Sequence, residues 1–268
     1  MTDHEPTLRD QVALVTGANR GIGQQIACDL AQAGATVVLS ARRPADLETT
    51  SRRIEAFGGR FDRVALDVTE PDSVAAAVST LIERHGRIDL LVNNAGIGAG
   101  SRYPWELPVD EWWAVQEVNL KGVYTCTQAV MAHMTAARSG RIVDVGSLIG
   151  AAPNPSAAPY AVSKAGLLRW NSCLAEGARE FGIAAFVISP GLVATDMTNQ
   201  PQFADIPEDQ WVPIEKCGAL VVALASGKAD ALTGRFIHAL DDLDALIEQA
   251  DYIVEHNLLS LGLQPLDD

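Results

Sequence analysis

Short runs of β-branched and aliphatic residues alternate along this chain with longer stretches in which apolar positions recur every three or four residues. Val12–Thr16 and Thr36–Ser40 read as strands, as do segments near Val64–Asp67, Ile88–Val92, Arg141–Gly146, Ala184–Ser189 and Arg235–His238. Runs such as Ile142-Val143-Asp144-Val145 are almost continuously apolar, which suits a parallel sheet covered on both faces. Between the strands lie helical patterns. Ile22–Ala33 places Ile22, Ile26, Leu30 and Ala33 on one stripe, and Ser73–His85 does the same with Val74, Ala77, Val78, Leu81 and Ile82. Pro71 and Asp72 mark a helix start. The rhythm predicts an α/β fold, a doubly wound parallel sheet of about seven strands with helices on both faces. No linker rich in Pro, Gly or Ser divides the chain and no internal repeat is present. One domain over residues 11–240 is therefore expected, after a polar N-terminal tail at 1–10 and before an acidic, amphipathic extension at 241–268.

Two segments break the rhythm. Thr195–Glu215 carries Pro201, Pro207 and Pro213 among Met197, Phe203 and Trp211, so a single continuous helix is not expected. It follows the sixth strand and should hang over the carboxyl edge of the sheet, where ligands bind in such folds. In the extension, Leu243, Leu246, Ile247, Ala250, Ile253 and Val254 recur at helical spacing, with Asp244, Glu248, Asp251 and Glu255 mainly on another face. This predicts one amphipathic helix of about four turns. It needs a surface to cover, and the sequence leaves open whether its own subunit or a neighbouring one provides it.

The formal charge of −14 changes the functional picture. From Phe236 to Asp268 there is no Lys or Arg, and eight acids supply −8 of that total. A surface so acidic argues against nucleic-acid partners. Cys28, Cys126, Cys173 and Cys217 are widely spaced, which excludes a disulfide framework or metal-ligand spacing and suits buried or half-buried thiols in a reducing compartment. The start of the chain lacks the apolar segment of a secretory signal, and Cys217–Ala225 is too short to span a bilayer. The reading is a cytoplasmic protein with no membrane partner.

The candidate chemistry begins at Thr16-Gly17-Ala18-Asn19-Arg20-Gly21-Ile22-Gly23, between the first strand and the first helix. Glycines there allow a tight turn and close backbone approach to a pyrophosphate, with free N–H groups at the helix start. An ordinary glycine-rich turn has the same composition. Tyr160 and Lys164, at i and i+4, share a helix face. A nearby ammonium favours phenolate and should lower the phenol pKa towards useful acid–base chemistry, although most such pairs are a solvated helix face. Ser147 lies 13 residues before Tyr160, just past the fifth strand, and Asn119 lies 28 residues before Ser147. Asn93-Asn94-Ala95-Gly96 follows the fourth strand, and Pro190-Gly191 the sixth, with Thr195 soon after. Each has a bland alternative: Ser147 as a cap, Asn119 as an exposed helix residue, Asn94-Ala95-Gly96 as a turn.

Taken together, over roughly Leu8 to Leu240, these motifs resemble the series of the short-chain dehydrogenase/reductase family, in order and in spacing. The resemblance implies a single Rossmann-type domain and a catalytic tetrad of Asn119, Ser147, Tyr160 and Lys164. It makes Tyr160 the general acid in reduction and Ser147 the substrate-orienting hydroxyl. Lys164 would also contact the nicotinamide ribose, and Asn119 would help hold a water in a proton relay. Cofactor contacts are implied from Gly17, Asn19, Arg20, Gly21, Ile22 and Gly23 in the loop, and from Asp67 and Val68 at the adenine. Asn93, Ala95 and Gly96 would follow the ribose, and Pro190, Gly191, Val193 and Thr195 the carboxamide side. A symmetric homodimer or homotetramer is expected as well.

The second strand ends Leu39-Ser40-Ala41-Arg42-Arg43, with no acid before Asp46. An acid there would bind ribose hydroxyls and repel a 2′-phosphate, whereas Arg42, with Arg20 approaching from the glycine loop, can bind that phosphate. NADP(H) is therefore the expected cofactor. A carbonyl reductase leads the readings. An NAD-dependent alcohol dehydrogenase and a non-catalytic dinucleotide sensor are the alternatives, the second disfavoured by an intact tetrad. Ile97, Ile149, Pro153, Leu192, Met197, Phe203 and Trp211 are the candidate pocket residues, mostly apolar. Tyr103, Trp105, Trp112 and Trp113 read as helix-packing anchors.

Overall fold

The computed structural model describes residues 8–98, 100 and 102–263. Its centre is a seven-stranded, wholly parallel sheet in the order β3-β2-β1-β4-β5-β6-β7. The strands are β1 (Val12–Thr16), β2 (Thr36–Ala41), β3 (Arg60–Ala65), β4 (Leu90–Asn93), β5 (Gly140–Val145), β6 (Ile183–Ser189) and β7 (Phe236–His238). Helices α1 (Gly21–Gln32), α2 (Glu48–Glu55), α3 (Pro71–His85), α4 (Val109–Gln116), α5 (Gly122–Ala137), α6 (Ala158–Ala178) and α7 (Ile214–Ala225) cover the two faces. This is the doubly wound arrangement that the alternating pattern predicts.

Side-chain alternation along each strand feeds two core layers. Val15, Leu39, Val143, Phe186 and Ile188 pack with Ile26, Leu30 and Leu224 on one face. Leu14, Val38, Leu91, Ile142 and Ala185 pack with Val78, Leu81, Val130 and Met134 on the other. Each large aliphatic side chain so buried contributes about 1.5–3 kcal/mol. The order of strands reverses between β1 and β4, so the crevice where a ligand fits opens above that pair.

Three expectations change. The third strand lies at Arg60–Ala65, four residues earlier than its apolar end suggests. It is the outer strand beside β2, so polar Arg60, Asp62 and Arg63 can face water and hide the strand from a hydrophobic reading. Leu8, placed by sequence in a polar tail, is buried, and its N–H donates to the Ala33 carbonyl at 2.9 Å. Residues 1–7 of that tail lie outside the described residues. The extension is not one helix. It forms two short pieces, α8 (Leu243–Glu248) and α9 (Ala250–Glu255), broken at Gln249, whose backbone (φ −103°, ψ 12°) leaves the helical range. The Asp242 carboxylate caps α8 by accepting from Ala245 N–H at 3.1 Å.

Both pieces pack on their own subunit. Ala250 and Ile253 are buried in the first core layer, with Leu243, Leu246, Ile247 and Leu259 against it. The chain beyond α9 then covers the outer edge of β7: Phe236 N–H donates to the Leu259 carbonyl at 2.8 Å, and Arg235 to Asn257 Oδ1 at 2.8 Å. A parallel sheet edge that would otherwise offer unpaired backbone groups is thereby occupied. Thr195–Glu215 contains only two short 3₁₀ turns, Pro201–Phe203 and Glu208–Gln210, before α7, as its prolines require.

Candidate active site

A cleft of about 540 Å³ runs along the carboxyl ends of β2, β1, β4 and β5. The glycine loop forms its floor: Gly17, Asn19, Arg20, Gly21, Ile22 and Gly23 all line it. Gly17 (φ +65°) and Gly21 (φ +55°) hold left-handed backbone that other residues adopt only at a cost. Gly23 is required for another reason, since a Cβ there would sit 2.3 Å from the Asn94 amide and 2.4 Å from the Gly17 carbonyl. The Asn94 amide pins the loop by donating to the Thr16 and Gly17 carbonyls at 2.9 and 3.1 Å. That role was not legible in sequence.

At one end of the cleft stand Arg42, Asp46, Asp67 and Val68. Asp46 is held by Arg43 at 3.0 Å, while exposed Arg42 has no ion pair among the described residues. Asp67 accepts from the Thr69 N–H at 3.0 Å and hydroxyl at 2.8 Å. Across the cleft, Arg20 is paired with Asp196 of the segment after β6, so it bridges the two walls rather than standing free beside Arg42.

At the other end, α6 presents Tyr160 and Lys164 to the cleft, along with Ala95, Gly96, Pro190 and Thr195. Lys164 is buried, and its ammonium donates to the Val145 carbonyl at 2.7 Å. It lies 5.3 Å from the centre of the Tyr160 ring, over the face rather than at the hydroxyl. Burial is nonetheless the larger influence on the phenol, against the expected fall in its pKa. Tyr160 keeps part of its surface open, yet burial pushes its phenol up to about 12, with the Ser147 hydroxyl beside it pulling the other way. Burial in turn lowers the Lys164 ammonium, and the carboxylate of Asp144 opposes that fall. Ser147 Oγ accepts from Ile149 N–H at 3.4 Å, capping a short 3₁₀ turn, which leaves its own O–H free to donate.

Asn119 is fully buried, not the exposed helix residue its surroundings allowed. It sits in a π-helical turn, Glu117–Lys121, between α4 and α5. Its Oδ1 accepts from Ile97 N–H at 2.8 Å, and its Nδ2 donates to the Ile97 carbonyl at 2.9 Å and to Ser163 Oγ at 3.1 Å. The side chain is therefore spent on holding the β4 loop to α6, and any water it helps to hold must use another atom.

Three residues implied as cofactor contacts do not line the cleft. Asn93 turns inward, donating to Thr127 Oγ1 at 3.2 Å and Asp144 Oδ1 at 2.8 Å. Val193 is buried in a small cluster with Val212 and Cys217. Gly191 supplies a turn (φ +76°) packed against Val212. Of the candidate pocket residues, Ile97 and Met197 line the cleft, while Ile149, Pro153, Leu192, Phe203 and Trp211 do not. The aromatic group is corrected too. Tyr103, Trp105 and Trp113 are 60%, 79% and 56% exposed, so they anchor no packing; Tyr103 and Trp105 stack on each other with ring centres 5.1 Å apart. Cys173 is exposed, whereas Cys28, Cys126 and Cys217 are buried as expected. Among the described residues no group of His, Cys, Asp or Glu could hold a metal, and no helix is long and apolar enough to cross a membrane.

Residues 11–204 match the family profile described as short chain dehydrogenase. A 3-oxoacyl-acyl-carrier-protein reductase of Thermotoga maritima is 33% identical over 237 residues, 86% of this chain and 96% of that protein. Among solved structures, a gluconate 5-dehydrogenase from Burkholderia cenocepacia in complex with NADP and tartrate superposes with a TM-score of 0.81 at 32% identity, covering 87% of this chain and 95% of that one. A metagenomic short-chain oxidoreductase in complex with NADP gives 0.73 at 35% identity, over 82% and 92% of the two chains. With the parallel sheet, the glycine loop and the tyrosine–lysine face of α6 already in place, the conclusion is that this chain belongs to the short-chain dehydrogenase/reductase family of oxidoreductases.

Proposed function

We propose that the protein is an NADP(H)-dependent oxidoreductase interconverting a carbonyl and an alcohol on a small apolar or amphipathic substrate. One observation carries this reading: Tyr160 and Lys164 stand in the same cleft whose floor is the glycine loop, with Ser147 beside the phenol. The loop fits a dinucleotide, because Gly17, Gly21 and Gly23 keep the backbone clear where a pyrophosphate would approach the start of α1. The choice of NADP(H) rests on Arg42, which is free to bind a 2′-phosphate while Arg43 neutralises Asp46 at the same end of the cleft. Two of the compared structures were solved with NADP.

When bound, NADPH supplies the hydride that adds to the carbonyl carbon. The chain's own residues manage the proton. Burial keeps the Tyr160 phenol protonated at neutral pH, and it gives that proton to the carbonyl oxygen as the alcohol forms. The free Ser147 O–H donates to the same oxygen and fixes its direction. Lys164, over the Tyr160 ring, stabilises the phenolate left behind until solvent reprotonates it. Alcohol oxidation uses the same groups in reverse. NADPH oxidation measured against ketones, β-ketoesters, quinones and ketosteroids tests the reading. Turnover with at least one class, and a higher kcat/KM with NADPH than with NADH, is expected. NADPH binding without turnover across the panel would point instead to a dinucleotide sensor. We propose further that the protein assembles as a homodimer or homotetramer; Tyr124 on α5 and Val162 on α6 leave apolar surface exposed, and the mass in solution checks it.

A further inference from the structure

Behind the tyrosine–lysine face lies a carboxylate that the chemistry above does not use. Asp144 sits one residue before the end of β5 and is fully buried. Its strand neighbours are apolar, and Ile142, two residues earlier on the same face, belongs to the layer covered by α5 and α6. Asp144 is held from two sides. The amide of Asn93, its register partner on β4, donates to Oδ1 at 2.8 Å, and the amide of Asn171 on α6 donates to Oδ2 at 3.0 Å. Asn93 also donates to Thr127 Oγ1, and Asn171 to the Phe186 carbonyl at 3.1 Å. The amide oxygens of Asn93 and Asn171 are both buried without a partner. Two amides that leave their own oxygens unsatisfied in order to point N–H groups at one side chain mark a site arranged around negative charge.

The next peptide along β5 holds a group of opposite charge. The Val145 carbonyl accepts from Lys164 Nζ at 2.7 Å, and Lys164 and Asn171 lie seven residues apart on one face of α6. We propose that Asp144 is a positioning residue for the tyrosine–lysine pair: a buried counter-charge that keeps Lys164 an ammonium and, through Asn171, locks α6 onto the sheet. This rests on the role given to Lys164 above.

Removal from water disfavours both charges, and each offsets part of that cost for the other. Burial raises Asp144 while Lys164 lowers it, and burial lowers Lys164 while Asp144 raises it. The other titratable side chains facing the pair are Cys126 on α5, whose thiol is held protonated by burial and by Asp144, and Tyr160 on α6. On the flanking strands the register partners of Asp144 are Asn93 on β4, whose neutral amide bonds it, and apolar Val187 on β6. An apolar residue at this position would serve the core equally well. A buried charge that burial penalises is better explained by what it does to Lys164.

The test is an NMR titration of the whole protein, which has only four lysines, Lys121, Lys164, Lys216 and Lys228. The Lys164 Cε resonance is assigned by its loss in Lys164→Arg. Asp144→Asn keeps the shape and removes the charge. Its Lys164 midpoint is expected to fall by on the order of one pH unit or more, the usual effect of losing a close opposite charge. A midpoint unchanged from wild type overturns the proposal. Should the variant fail to fold, the wild-type protein decides: Lys164 Cε should show a second inflection where Asp144 Cγ titrates, and a single featureless curve refutes the coupling. No substrate or cofactor enters either measurement, so the result stands apart from the NADPH turnover that tests the functional reading.

Discussion

The buried wall behind the tyrosine–lysine face and an exposed aromatic rim of the molecule at residues 103–113 are built in opposite ways. On the wall, Asn119, Lys164, Asp144 and Asn171 are buried, and three of these four make two or more hydrogen bonds each to fixed neighbours. On the rim, Tyr103, Trp105 and Trp113 project into solvent; Tyr103 stacks on Trp105, and Trp113 meets the half-buried Trp112 edge-on. A proton donor must be held within a few tenths of an ångström of its target, and only a packed, hydrogen-bonded wall does that. A rim of loops can vary its side chains without disturbing the chemistry. Reaction type is therefore read from the wall, and substrate identity from exposed side chains that line the cleft, such as Ile97 and Met197.

Breaking the wall at its reacting atom should give the largest effect. Tyr160→Phe removes the proton and keeps the ring under Lys164. Turnover should fall by roughly 10²–10⁴ while NADPH affinity stays near wild type. Stopped-flow or steady-state kinetics on any active carbonyl, with fluorescence titration of NADPH, measures both. Near-normal kcat would remove Tyr160 from its assigned role.

The extension, rich in acid and read as a lone amphipathic helix, belongs energetically with the wall. Ile253 and Ala250 are buried in the main core and the chain after α9 occupies the β7 edge. Deleting residues 241–268 should lower the melting temperature by about 5–10 °C, given about 1.5–3 kcal/mol for each fully buried aliphatic side chain and a few degrees per kcal/mol at this size. Calorimetry with the same melting point for both proteins would mean that the packing described here contributes nothing.

Arg42 stands at the exposed end of the cleft, and its effect should be intermediate and selective. Arg42→Ala should weaken NADPH by roughly tenfold or more, the worth of one charge-assisted phosphate contact, and leave NADH nearly unchanged. Equal losses for both cofactors would place Arg42 away from the 2′-phosphate.

How far the two regions were legible follows from the same contrast. The wall's outer layer is readable because helix geometry fixes Tyr160 and Lys164 at i and i+4 and strand ends fix the loops that carry Ser147 and Gly96. Its inner layer was missed. Asp144 was absorbed into an apolar strand run, although a lone acid in such a run is itself a signal that a partner awaits it in the core. The family resemblance implies a cofactor contact for Asn93, but the last residue of β4 still obeys strand alternation and points inward to Thr127 and Asp144. The extension's break at Gln249 is invisible to periodicity, since both pieces keep the same apolar phase. Aromatic residues alone carry no statement of burial, so the rim was misread.

The smallest effect tests that last correction. Trp105 is 79% exposed, and Tyr103, on which it stacks, is itself exposed. Had Trp105 been a packing anchor, truncation to Ala would cost about 3–5 kcal/mol, the range for a large aromatic lost from a core. As a rim residue it should change stability by no more than about 0.5 kcal/mol. Chemical denaturation of Trp105→Ala separates these outcomes cleanly, because they differ several-fold. Neither ring of the stacked pair lines the cleft, so kcat and KM should both stay near wild type, with Tyr160 and Lys164 untouched. A large loss of stability would return Trp105 to the core and erase the distinction between wall and rim.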